Sequence, residues 1–239
     1  MYKFTLTTSV NTVDMDYTCY NEIYNQLLKY FADANYNINI VEITTNANDI
    51  SKLEQVTRSN PDAFIYINFL PYFDGIFISM YDQSVITEQS LKFANKLDDQ
   101  LSNLVDLHKY DITYDKSYMN RLRVFPSITI NIGLKGQNYD YMNTLNAQKS
   151  LAKAIYLAVI SSFTVPKNNE TYEFVTTGNL NMKEHPTKNA KYLVTVPKNS
   201  IVEVLEKTNN IYWLIRAEVE GKSYIGYCAQ TYIVMNKLT

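Results

Sequence analysis

The side chains in this sequence that could do chemistry are few and scattered. There are two histidines, His108 and His185, and two cysteines, Cys19 and Cys228. A Cys19–His108 pair would supply a nucleophile and a base, but no local motif supports it. The cysteines lie far apart and read as isolated thiols that form neither a bridge nor a metal-binding cluster. Asp14 with Asp16, or Asp98 with Asp99, offers paired carboxylates of the glycosidase type. Such neighbours on a loop or an exposed helix face read as solvated. With 6 glycines in 239 residues there is no G-x-G-x-x-G or Walker-type loop to cradle a phosphate. The best-placed polar residues follow one stretch. Residues 127–132 alternate β-branched with small polar side chains, Gly133 and Gly136 break the pattern, and residues 147–160 carry apolar residues at helical spacing. This is a strand–loop–helix unit whose end offers Asn131, Lys135, Gln137 and Asp140. In open α/β sheets sites are built at such strand ends.

The preceding elements must position that end. Residues 2–7 read as a strand and 11–18 as a polar turn. Residues 20–34 read as an amphipathic helix with Ile23, Leu27, Leu28 and Phe31 on its apolar face. Residues 38–43, 63–70 and 76–81 read as strands. A helix over 50–59 is capped by Asp49 or Ser51 and stopped by Asn60-Pro61. A long helix covers 87–107, and 108–120 is irregular. The alternation predicts an α/β domain over 1–163, a mostly parallel sheet flanked by helices. Residues 164–173 read as a linker. Over 174–239 the chain becomes all-β, with strand-like segments near 173–177, 192–196, 201–205, 212–217 and 224–228, which predicts a small barrel.

The totals exclude several classes. A net charge of −2 gives no footprint for nucleic acid. No apolar run is long enough to span a bilayer, and residues 1–10 enter a strand pattern without a secretory leader. The sequence is therefore expected to be made in the cytoplasm, and any later extracellular role to need lysis or a non-classical route.

The second region resembles the bacterial SH3 (SH3b) domain. The carriers are Leu180-Asn181-Met182-Lys183, Pro186, Pro197-Lys198-Asn199 before an apolar strand, Trp213 to Arg216, Gly221 to Tyr227, and Tyr232-Ile233. Met182, Lys183 and Asn199 depart from the usual Val, Arg and Gly. The resemblance implies binding to cell-wall peptides or glycans, with Tyr192, Tyr212, Trp213, Tyr224 and Tyr227 as the aromatic surface.

The first region looks like the zinc-dependent N-acetylmuramoyl-L-alanine amidases. Glu22 opens the first helix, residues 61–68 match the buried strand, Gly75-Ile76-Phe77 begins the next, and residues 126–134 followed by 148–160 complete the order. At the family's metal and catalytic positions stand Ser9-Val10-Asn11, Asn68 and Asn131, and only Glu22 is retained. Carboxamides are poor zinc ligands beside imidazole, and Asn131 does not act as a general base. The resemblance with these departures implies that zinc is lost and the domain is a pseudo-amidase. It would be a non-enzyme that recognises peptidoglycan or a protein partner through a cleft near Asn68, Tyr72, Asn131 and Lys135. Two alternatives stand beside this expectation: an active, endolysin-like amidase with another ligand set, and an assembly module that binds a protein and no wall.

Overall fold

The computed structural model describes residues 2–9, 15–43, 49–81, 87–115, 119, 125–207 and 211–238. Among them the chain divides into two units, Met1–Asn168 and Asn169–Thr239.

Unit 1 is a six-stranded sheet with helices on both faces. In chain order it comprises β1 (Tyr2–Thr8), α1 (Met15–Asp33), β2 (Ile38–Ile43), α2 (Asp49–Ser59), β3 (Ala63–Leu70) and β4 (Ile76–Met80). These are followed by α3 (Thr87–Leu104), β5 (Thr113–Tyr114), β6 (Ser127–Gly133), α4 (Gln137–Met142) and α5 (Leu145–Ser162). The strand order is β2-β1-β3-β6-β4-β5. β1 pairs in parallel with β2 and β3, and β3 with β6. β4 runs antiparallel to β6, so the sheet is mixed.

Side chains on a strand alternate between faces, and the sequence of β6 shows the consequence. Ile128, Ile130 and Ile132 join Phe4, Leu6, Ile65, Ile67, Ile76 and Ile78 in the main core under α1, α3 and α5. Burying each such side chain is worth about 1.5–3 kcal/mol. Ser127, Thr129 and Asn131 take the other face with Thr5, Thr7 and Ser79, all buried. Part of that face is covered by a small second core in which Leu53 and Val56 of α2 meet Ile43, Phe64, Tyr66, Met119 and Phe125.

Several elements differ from the sequence reading. α1 starts at Met15, inside the stretch read as a turn, because Tyr17 and Tyr20 anchor its first turns on the core; residues 10–14 lie outside the described set. Leu28, assigned to the buried stripe, is 41% exposed. A short helix, α4, precedes the one foreseen, whose first turn is capped where Thr144 Oγ1 accepts from Ala147 N. Residues 164–168 pack onto unit 1: Asn37 N donates to the Pro166 carbonyl (2.6 Å) and Asn168 N to that of Asn35 (3.0 Å).

Unit 2 is an all-antiparallel, seven-stranded sheet in the order β13-β7-β10-β11-β12-β8-β9. The strands are β7 (Tyr172–Thr176), β8 (Leu180–Lys183), β9 (Tyr192–Val196), β10 (Ile201–Glu206), β11 (Tyr212–Val219), β12 (Lys222–Ala229) and β13 (Ile233–Lys237). β8 and β13 were not foreseen as strands. Leu180, Met182, Val196, Val202, Trp213, Ile215 and Cys228 form its core.

Candidate functional site

The chain leaves β1 for β2 on one side and then crosses to β3 on the other, so the order reverses between β1 and β3. At such a switch point, outside the carboxyl ends of the strands, an open α/β sheet forms a crevice. The residues delivered there are Ser9 after β1, Asn68 on β3 and Asn131 on β6. Ser9 continues the ladder: its N–H donates to the Ile67 carbonyl at 2.9 Å, and its Oγ accepts from Phe69 N at 3.0 Å. Asn68 and Asn131 sit directly opposite each other in register. Asn68 Nδ2 donates to Asn131 Oδ1 at 2.9 Å, and Asn131 Nδ2 donates to Ser79 Oγ at 3.0 Å. These bonds fix both amide orientations, and Asn68 is half-buried. Asn131 is 5% exposed, so its carboxamide spends both ends inside the protein.

The loops around this edge are held close. Gly133 N donates to the Gly75 carbonyl at 2.7 Å and Lys135 N to that of Phe73 at 3.0 Å. A Cβ on Gly133 would stand 2.3 Å from the Phe73 carbonyl oxygen, and Gly75 has φ +98° with the His108 carbonyl 2.3 Å from its Cβ position. Both contacts demand glycine.

Sequence reasoning missed Lys52. It lies on α2, 3% exposed, with Nζ donating to the Thr8 carbonyl at 2.7 Å. A lysine is almost never this buried without partners, and here its Nζ is held at the carboxyl end of β1. Its only sequence signal was a lysine between apolar positions of an amphipathic helix, which reads as solvent-facing.

Glu22 does not open α1. It stands seven residues in, half-buried, and its Oε1 accepts from Gln26 Nε2 at 2.6 Å, an ordinary i,i+4 contact. Tyr72 and Lys135 are exposed on the loops beside the edge. His108 is exposed with its ring edge-on to Tyr110, and His185 is exposed in unit 2. Asp98 is paired with Lys109 at 2.5 Å. Cys19 Sγ donates to the Met142 carbonyl at 3.3 Å, and burial pushes the Cys228 thiol up to about 12, which leaves it inert. The five aromatic residues of unit 2 do not share one surface. Trp213 is 9% exposed, edge-on to Phe174 in the core, and Tyr224 packs against that core. Tyr227 pairs with Leu214 on the opposite face, Tyr212 with Ala229, and Tyr192 is 54% exposed.

Among the described residues, no group of three or more His, Cys, Asp or Glu side chains is placed to hold a metal ion. With Asn68 and Asn131 engaged as they are, this donor set does not fit a tetrahedral zinc centre. What the pair offers is hydrogen bonding to an amide. No described helix is long and apolar enough to cross a membrane.

No family model and no curated protein sequence matches this chain. Solved structures do. An N-acetylmuramoyl-L-alanine amidase from Clostridium difficile 630 aligns with TM-score 0.58 and 16% identity, over 67% of this chain and 95% of its own. The amidase AmiC2 of Nostoc punctiforme aligns with TM-score 0.56 and 14% identity, over 67% and 96%. The CwlD amidase from Clostridioides difficile, solved in complex with the GerS lipoprotein, aligns with TM-score 0.56 and 14% identity, over 68% and 98%. The mixed α/β unit therefore has the amidase fold, essentially whole. These matches correct the expectation of a non-enzyme: the fold is one that enzymes carry, and replacements at positions of a sequence pattern do not show that catalysis is lost. The second unit is an antiparallel sheet to which the amidase matches do not speak.

Proposed function

We propose that this chain acts at the bacterial cell wall, on the amide that joins the glycan to its stem peptide, as an N-acetylmuramoyl-L-alanine amidase whose site residues differ from the family pattern. The observation that supports this reading is the fold of unit 1, which covers 95% to 98% of the three amidases compared. The switch-point edge is the place for the substrate amide. There Asn68 presents its carbonyl oxygen to the amide N–H, and Asn131 holds that carboxamide in one orientation. Neither asparagine moves a proton. In unit 2, an SH3b-like role in wall attachment falls to the outward-facing Tyr192, Tyr212 and Tyr227.

The test is digestion of purified Gram-positive sacculi by the full chain, with mass analysis of the soluble fraction. The expected product is stem peptide with a free L-alanine amino terminus, reduced at least about tenfold in Asn131→Ala. Sacculi left intact by the folded protein would refute the reading.

A further inference from the structure

Along the outer edge of the unit 1 sheet runs a groove that the amide site does not use. Tyr2 N donates to the Asn37 carbonyl at 3.0 Å. The odd-numbered residues of β2 therefore turn their peptide groups to β1, and Ile38, Ile40 and Glu42 turn theirs to the open edge of the sheet. Side chains of these three lie on the α1 side. A cavity of about 360 Å³ opens there, lined by Leu28, Ala32, Tyr36, Ile38, Ile40 and Asn168. Leu28 is exposed within it, although it is a large apolar side chain.

Two residues beyond Ile40, Glu42 Oε1 is buried without a hydrogen-bond partner. Tyr20 and Tyr24 of α1 lie close enough to feel its charge, and the Tyr24 hydroxyl is directed at the Ile40 carbonyl, 3.5 Å away. Native proteins leave few buried polar atoms unpaired, and each one calls for a cause. Here burial also pushes the Glu42 carboxyl above its ordinary range. Among the described residues the strand thus presents edge peptide groups with no further strand beside them, the Ile40 carbonyl meeting only the Tyr24 hydroxyl, together with an apolar hollow and an unpaired carboxylate oxygen in one row.

We propose that this row binds an extended protein segment that adds to β2 as a further strand, with a lysine or arginine against Glu42 and an apolar side chain two residues away in the cavity. Alternate residues of an added strand lie on the same face, which is the spacing that Glu42 and the hollow require. Charge complementarity selects the cation. A second copy of this chain fits less well: pairing β2 with itself about an axis at Ile40 sets Glu42 opposite Ile38 and leaves the carboxylate unpaired.

The experiment uses the full chain and two fluorescent peptides of alternating valines, one with lysine and leucine at its third and fifth positions and one with their order reversed. Fluorescence anisotropy is expected to show one of them binding. Binding should weaken roughly tenfold when glutamate replaces the peptide lysine, and by a similar factor in Glu42→Gln or Leu28→Arg. Asn131→Ala, at the amide site, should leave it unchanged, so this proposal and the amidase reading fail separately. Circular dichroism confirms that each variant is folded. Absence of binding by both peptides, or binding indifferent to Glu42→Gln, overturns the proposal. Dimerisation by light scattering that disappears in Glu42→Gln overturns it in favour of a second copy.

Discussion

The two faces of the unit 1 sheet are made by the same strands and do different work. On β6, Ile128, Ile130 and Ile132 enter a core closed by three helices, while Ser127, Thr129 and Asn131, one residue out of step, form a buried polar row. The apolar face is redundant, since many side chains share the burial. The polar face is specific, since Asn68, Asn131 and Ser79 each have a fixed donor or acceptor. Stability and addressability are thus separated by a period of two along a single strand.

Ile130→Ala should break the apolar face with the largest effect, about 3 kcal/mol, because it leaves a cavity that packed neighbours do not fill. Urea unfolding followed by far-ultraviolet circular dichroism measures it. Trp213, the only tryptophan, follows unit 2 separately by fluorescence. Asn131→Ala removes the acceptor of Asn68 Nδ2 and should cost about 1–2 kcal/mol in the same assay. Thr144→Ala, which uncaps the helix α5 that lies across the apolar face, should cost about 1 kcal/mol.

The smallest effect is at the sheet edge. The folded Glu42 carboxyl holds its proton more tightly than the unfolded one, so its contribution falls as pH rises from the ordinary carboxylate range near about 4.3 through the raised folded value. Glu42→Gln should therefore gain less than about 1 kcal/mol over the parent at pH 7, with solvent screening limiting the gain. At a pH below that range it should gain nothing. Urea titrations at the two pH values check the sign.

Much of this contrast was legible in the sequence. The S-I-T-I-N-I-G run announced β6 and placed Asn131 at its end, and the order of strands and helices gave an α/β domain of amidase type. What was hidden depended on tertiary context. The start of α1 was masked because Met15 to Thr18 has no helical stripe of its own until Tyr17 meets the core. That shift left Glu22 inside the helix rather than at its opening. The antiparallel course of β4 has no local signature in a sequence that alternates strand and helix. Lys52 looked like a surface residue, and Trp213 looked like part of a binding face, because period-two patterning does not say which face of a small sheet is covered.

The measurement that bears most directly on the account is the rate of stem-peptide release from sacculi by Asn131→Ala and Ile130→Ala, neighbours in sequence on opposite faces, each assayed where it is fully folded. The account predicts that Asn131→Ala loses at least about tenfold, the worth of a fixed hydrogen bond at the reacting amide, while Ile130→Ala stays within about twofold of the parent despite its larger loss of stability. Equal losses in the two variants, or a greater loss in Ile130→Ala, would contradict it.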